Sequence, residues 1–414
     1  MKQLLHRGSI ISFFEYCLIF VIIMEFNTPY LYFPIIKSFI LFAAISLGLM
    51  LILLNGKLKI DVTLVLLIVG AIIPLFNVYS GRLFSYVKLY IIVLPLFYIY
   101  YASVLRYGIE RAKSLWLKYS NIVFIIAAIS LFFWTLGSRM AIIHPTGYVP
   151  NHWGTERILP HYYGIYFETQ AEKVFSTSES KFIRNSGIFN EAPMFNMILC
   201  ISLAIESFVR EKKSIVKILI LIITIITTIS TTGYIFLIML FFIKIYERRE
   251  KKKRILYFVL IPLLLYVGQF AITSVLENKQ ETHDASYSSR IRDIQKCINV
   301  GVENPILGVG VMHKADEDGD SSINFGYSNS LFGSFAHGGV YLLALYVFSL
   351  CVIPFVMLLK KEDRKWAWVM LCFFMLFTFT VSQYKLLTML FVAYAFAFFS
   401  HSMAIKRNKK KCDR

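Results

Sequence analysis

The sequence predicts an all-α fold, a polytopic integral membrane bundle of about twelve transmembrane helices with two large extracytoplasmic loops. Three observations predict it. Only 16% of the 414 residues are charged against 57% hydrophobic, with a mean hydropathy of +0.63; water-soluble domains carry about 25% charged residues. Apolar runs long enough to cross a bilayer recur along the chain, and a bare ionised group inside such a run is costly. Lysine and arginine gather in short clusters between the runs, in alternate connections.

In order, the expected spans are 9–24, 38–54, 62–77, 89–104, 120–138, 192–209, 216–231, 233–246, 255–275, 337–359, 366–381 and 386–403. The first follows Lys2 and Arg7 without a small-residue cleavage site, so it is expected to stay as an anchor. The seventh and eighth are divided at Thr231-Thr232-Gly233, where small and hydroxylated residues interrupt an apolar stretch and a tight reversal is expected. With these spans the clusters Lys2/Arg7, Lys57/Lys59, Arg106/Arg111/Lys113/Lys118, Arg210/Lys212/Lys213/Lys217, Lys244–Arg254, Lys360/Lys361/Arg364/Lys365 and the tail from Lys406 share one side. They hold 29 of the 43 lysines and arginines. The positive-inside rule makes that side cytoplasmic, with both termini in it, and the cell inner membrane is the expected location. The chain reads as one integral membrane domain, 1–414, with outer loops at 139–191 and 276–336.

Other classes are disfavoured by the same pattern. The net charge of +18 forms no stripe on a soluble face, which excludes nucleic acid as a partner. Cys17, Cys200, Cys297, Cys351, Cys372 and Cys412 show no CxxC or Cys/His pairing, so neither a disulfide framework nor a metal site is expected. No Walker A sequence or Rossmann glycine pattern occurs, and no cofactor is expected. A flippase or other transporter would line a cavity with intramembrane charge and show an internal repeat. This chain concentrates its polar groups outside. Glu15 and Glu206, the intramembrane carboxylates, are expected to face the bundle interior or an interface.

Chemistry must therefore use the outer loops and the helix ends beneath them, where three constellations stand out. Arg184-Asn185-Ser186-Gly187-Ile188-Phe189-Asn190-Glu191 leads into a helix and offers a guanidinium suited to phosphate oxygens, with a carboxylate nearby. The bland alternative is an arginine that snorkels to headgroups. Ser289-Arg290-Ile291-Arg292 opens a stretch in which Ile291, Ile294, Ile298 and Val302 recur at helical spacing, an amphipathic helix expected along the membrane surface. It ends at Asn304-Pro305, before Ile306-Leu307-Gly308-Val309-Gly310. Third, Ser328-Asn329 precedes His337-Gly338-Gly339, expected at a helix start; Asn329 suits a sugar and His337 a proton, or His337 simply bonds to backbone. The acidic run Asp316–Asp320 lacks a full calcium-loop pattern and reads as solvated loop.

Together these segments resemble the O-antigen ligase and polymerase superfamily of bacterial membrane glycosyltransferases. The resemblance rests on Arg184–Phe189 before a helix, on Ser289-Arg290 with the Pro305–Gly310 turn, and on Ser328-Asn329 through Gly339, in that order. It implies a metal-independent transferase acting on undecaprenyl-diphosphate-linked oligosaccharide among membrane lipids, with a chain-length regulator and a flippase as candidate protein partners. It gives Arg184 and Arg290 the diphosphate, with Arg292 in reserve, Asn329 the sugar, and Glu191 or His337 the acceptor hydroxyl. The ligases carry a histidine just before the asparagine. Ser328 stands there in this chain, which moves the expectation from ligase towards polymerase.

Overall fold

The computed structural model describes residues 2–56, 60–78, 82–151, 157–172, 182–247, 285–312 and 329–412, with 2–7, 151, 157, 171–172, 182, 246, 285–290 and 407–412 described as backbone only. The expected span 255–275, the acidic run Asp316–Asp320 and Ser328 lie outside these residues. The helices are α1 (Lys2–Glu25), α2 (Pro34–Asn55), α3 (Val62–Ile72, prolonged by a 3-10 turn to Asn77), α4 (Leu83–Tyr107), α5 (Ile109–Arg139), α6 (Ala192–Phe208), α7 (Ile215–Thr227), α8 (Thr231–Glu247), α9 (Ala285–Glu303), α10 (Ser330–Leu359), α11 (Arg364–Phe379) and α12 (Leu386–Cys412). Six of them, α1, α2, α4, α5, α10 and α12, are long and apolar enough to cross a membrane. Their outward faces fit that solvent: on α2, Ile35, Phe39, Phe42 and Leu53 are all exposed, a surface that water would not tolerate over such an extent. The chain is a polytopic helical membrane protein.

Proline shapes two of the long helices. Pro95 in α4 and Pro354 in α10 lack an N–H and crowd the preceding turn. In each case a π-helical segment, Val87–Val93 and Phe348–Val352, lies just upstream and widens the turn.

The chain gathers into two compact units. One comprises Met1–Ile122, Ile205–Lys213 and Arg292–Arg414; the other comprises Val123–Ala204 and Ser214–Ile291. The core of the first is aromatic: Phe391 packs on Phe373 and Trp116 at 3.9 and 4.2 Å between ring centroids. Its buried charges are paired, as burial in a medium of low dielectric requires. Glu15 receives Arg111 Nη2 at 2.6 Å, Lys118 Nζ at 2.8 Å and the Tyr100 hydroxyl at 2.7 Å. Glu206 receives the Ser120 hydroxyl at 2.6 Å and Arg210 Nε at 2.5 Å. Both carboxylates thus face inward, as their place in apolar runs predicts.

The second unit departs from a purely helical expectation. Between α5 and α6 the strands β1 (Gly147–Asn151), β2 (Arg157–Tyr162) and β3 (Tyr166–Phe167) form an antiparallel sheet with Tyr148 opposite Pro160, and β4 (Ala171–Glu172) pairs with β5 (Phe182–Ile183). Short aromatic-rich segments favour this pairing once one face is buried. Here Tyr162 and Tyr166 pack with Phe133 of α5, and Trp134 Nε1 donates to Ile183 O at 2.9 Å. The break between α7 and α8 falls at 228–230, where Ile229 takes a positive φ of 48°. Gly233 then lies so near Asn196 and Ile225 that a Cβ would collide with both.

The last correction concerns α10, which starts at Ser330 and not at His337. Asn329 is its N-cap, with Oδ1 accepting from Phe332 N at 2.9 Å and Gly333 N at 3.3 Å. Leu331, Phe332 and Phe335 already extend the apolar pattern ahead of His337, and the cap at Asn329 with a buried setting holds these first turns helical. The helix breaks at Gly339, with φ 57° and ψ −156°. His337 therefore sits just before a kink inside a helix.

Candidate functional site

In the second unit, Arg184 follows β5 and is buried, with 7% of its surface exposed. Its Nε donates to Thr228 O at 2.8 Å, at the C-terminal end of α7, where helix carbonyls have no helical partner. Its neighbours are fixed by the same device. Asn185 N donates to Thr227 O at 3.0 Å and its Nδ2 to Thr227 Oγ1 at 3.1 Å. Ser186 Oγ donates to Phe167 O at 2.9 Å, and Gly187 turns with φ 56° against the Phe195 ring. Glu191, half-buried, precedes α6 and accepts from Met194 N and Phe195 N through its backbone oxygen. Gln170 joins the two ends of this segment: its backbone oxygen accepts from Arg184 N at 2.9 Å and its side-chain Oε1 from Ala192 N at 3.1 Å. Sequence reasoning passed over Gln170 and the Thr227-Thr228 pair, whose signal is a helix C-terminus ending in hydroxylated residues.

In the first unit, the Pro305–Gly310 turn lies directly on the kink of α10. Val309 N donates to Ala336 O at 3.0 Å, Gly310 N to His337 O at 3.1 Å and Val340 N to Pro305 O at 2.8 Å. Two glycines make so close an approach possible. A Cβ on Gly308 would fall 2.5 Å from the backbone oxygens of Ala336 and His337. One on Gly339 would fall within 2.6 Å of Ile306 O and Pro305 O. Asn77 clamps the far side, with Nδ2 donating to Leu307 O at 2.7 Å and its own O accepting from Val311 N at 3.0 Å. The second and third sequence motifs are thus brought together, backbone against backbone.

His337 is fully buried at this junction. Its Nδ1 lies 2.6 Å from the Tyr384 hydroxyl, the two rings stack at 5.8 Å, and the same hydroxyl accepts from Met312 N at 3.2 Å. Tyr384, between α11 and α12, could be found from sequence only as a polar aromatic at a helix boundary. Asn329 uses Oδ1 for the helix cap, while its Nδ2 is buried without a hydrogen-bond partner among the described residues.

Helix α9 carries Arg292, which is exposed, and Arg290, for which only the backbone is described. Cys297 and Gly301 turn one face of α9 towards Ala336 and Phe335. Ile291, Ile298 and Val302 stand exposed, the apolar stripe that its helical spacing predicts. Burial, with Asp293 beside it, pushes the Cys297 thiol up to about 12, which leaves it inert as a nucleophile. Arg184 and Glu191 belong to one unit, and Arg292, Asn329 and His337 to the other.

The O-antigen ligase family model matches residues 216–347, from α7 into the second half of α10. The match supports a relationship of this part of the chain to the O-antigen ligase and polymerase superfamily. No curated protein matches it. The match includes Arg290, Arg292, the Pro305–Gly310 turn, Asn329 and His337, and it ends before Tyr384. Members of this superfamily are membrane glycosyltransferase-like enzymes that imply lipid-linked oligosaccharide substrates and membrane lipids as surroundings.

Proposed function

We propose that this protein is a polymerase of a bacterial surface polysaccharide, an O-antigen, capsule or exopolysaccharide. It joins undecaprenyl-diphosphate-linked repeat units at the outer face of the inner membrane. The observation that carries this reading is the family match across 216–347, which takes in the arginine helix and the glycine junction together. The proposal includes twelve spans with both termini cytoplasmic and the loops at 139–191 and 276–336 outside. A C-terminal reporter active only in the cytoplasm is expected to be active.

In the proposed reaction the acceptor hydroxyl oxygen attacks the anomeric carbon of the donor sugar. The bond from that carbon to the lipid diphosphate breaks, and the diphosphate leaves with the electron pair. Arg184 and Arg290, with Arg292 beside the latter, stabilise the charge that develops on the departing phosphate, without a metal. Direct displacement inverts the anomeric centre. Glu191 or His337 takes the hydroxyl proton, and Asn329 Nδ2, its oxygen already committed to the helix cap, donates to a sugar oxygen. Arg184 is suited to its part because Thr228 O fixes the guanidinium before substrate arrives.

Replacing Arg290 by alanine is expected to abolish polymer while protein level is unchanged; normal chain length in that mutant would discard the proposal. A second reading is favoured by the description of the matching family, a ligase that moves finished polymer onto a lipid or protein acceptor. A deletion strain separates the two. Single lipid-linked repeat units accumulate if the protein polymerises, and long lipid-linked polymer if it ligates.

A further inference from the structure

A cleft of about 280 Å³ opens in the first unit between the end of α10 and the last turns of α12 before its basic tail. Its walls are apolar, with Ile353 and Met357 from one helix and Phe398 and Met403 from the other. Its mouth is charged. Lys360 stands exposed there, and Lys406 Nζ lies 2.8 Å from Glu362, which also accepts from Ser402 Oγ at 2.8 Å. Burial alone would push the Glu362 carboxyl up, but its bonds to Lys406 and Ser402 prevail and hold it below the usual carboxylate range. Glu362 is thus an anion that pins Lys406 over the opening. Two lysines against one carboxylate leave an excess of positive charge. The sequence adds Arg407, Lys409, Lys410 and Lys411 to the same helix immediately beyond.

We infer that this cleft binds an anionic phospholipid of the lysine-rich leaflet, with an acyl chain between α10 and α12 and the headgroup phosphate on Lys360 and Lys406. Three features favour that occupant over another. The cleft is apolar along the membrane-spanning turns and cationic only where those helices leave the membrane, the division of an amphiphile. Its size suits a stretch of one acyl chain and not a packed helix. Basic pockets between transmembrane helices on the positive side take acidic headgroups for the same electrostatic reason. The inference stands apart from the proposed polymerase chemistry, since it needs only that the protein be membrane-embedded.

The test uses the full-length protein, purified in detergent and stripped of lipid, with phosphatidylglycerol or phosphatidylcholine titrated against its thermal unfolding. Phosphatidylglycerol is expected to raise the midpoint saturably, and phosphatidylcholine to leave it unchanged. Lys360→Gln with Lys406→Gln should weaken the apparent affinity about tenfold or more. Met403→Trp, which fills the cleft, should act likewise. Neutralising Arg407, Lys409, Lys410 and Lys411 to glutamine should leave most of the response. Equal responses to the two lipids would overturn the inference, as would a phosphatidylglycerol response that survives both cleft variants or disappears only in the tail variant. Lys360 and Lys406 are exposed, so their replacement leaves the fold intact and the experiment readable.

Discussion

The two motif-bearing regions are held in shape by opposite means. Around Arg184 the chain is fixed by polar side chains: a guanidinium, an amide and a hydroxyl donate to backbone or side-chain oxygens, and the amide oxygen of Gln170 accepts from Ala192 N. At the junction of Pro305–Gly310 with α10 the decisive feature is what is missing, since Gly308 and Gly339 let two backbones meet where any side chain would intervene. The first arrangement loses bonds one at a time and should degrade in steps. The second has no partial state, because an atom either fits between the backbones or parts them.

The largest effect is expected at the glycines. Gly339→Ala puts a Cβ against the carbonyl oxygens of Ile306 and Pro305 and forces alanine to a φ of 57°. Left-handed strain and overpacking together should cost about 3 kcal/mol or more. Gly308→Ala, at φ 66°, should behave alike. Thermal unfolding of the purified protein reads this directly. A midpoint within error of the parent for both variants would mean that the turn and the kink are not in contact, and the comparison would fall.

Next comes Arg184→Lys. Lysine keeps the charge but has no Nε to donate to Thr228 O. A buried hydrogen bond from a charged donor is worth about 1.5–3 kcal/mol, so a loss of about 2 kcal/mol is expected, with polymer formation lost as well. If lysine supports both full stability and normal chain length, the guanidinium fork has no role and the polar scaffold is less specific than its geometry suggests.

How much of this was legible beforehand follows from how local each signal is. Membrane helices depend on the composition of one short window, so α1, α2, α4, α5 and α12 overlap their expected spans. The α7/α8 break falls at 228–230, just before the expected reversal at Thr231-Thr232-Gly233, whose residues form the first turn of α8. What failed to show was whatever depends on distant partners. The cap at Asn329 sets the start of α10 at Ser330, ahead of the expected start at His337. The sheet of the first loop needs Phe133 beneath it before Tyr162 and Tyr166 count as core. Nothing in Arg184 foretells its bond to Thr228, 44 residues away. His337 was legible as a candidate, but its partner Tyr384 lies 47 residues on and outside every motif.

Tyr384→Phe sharpens the comparison from within the glycine junction, since here a polar side chain is added to a backbone contact. The change removes the hydroxyl that His337 Nδ1 and Met312 N share. A loss of about 1–2 kcal/mol is expected, well below that of Gly339→Ala. If His337 handles the acceptor proton, the same variant should also alter the pH profile of polymer formation in membranes. A variant as damaging as the glycine replacements would show that the hydroxyl, and not the backbone approach, holds the junction.

The smallest expected effect on stability is the most informative for chemistry. Asn329 does two things with one amide. Oδ1 caps α10, and Nδ2 faces no protein acceptor among the described residues. Asn329→Ala removes both and should cost about 1 kcal/mol, the usual worth of an N-cap. Asn329→Asp keeps an acceptor for Phe332 N and Gly333 N and adds a negative charge at a helix N-terminus, where it is favoured. Stability should therefore be unchanged in the aspartate variant. If the amide donor meets a sugar oxygen, polymer formation should nevertheless fall in Asn329→Asp as far as in Asn329→Ala. If aspartate restores both stability and polymer, the residue is a helix cap alone, and recognition of the sugar must lie with other groups.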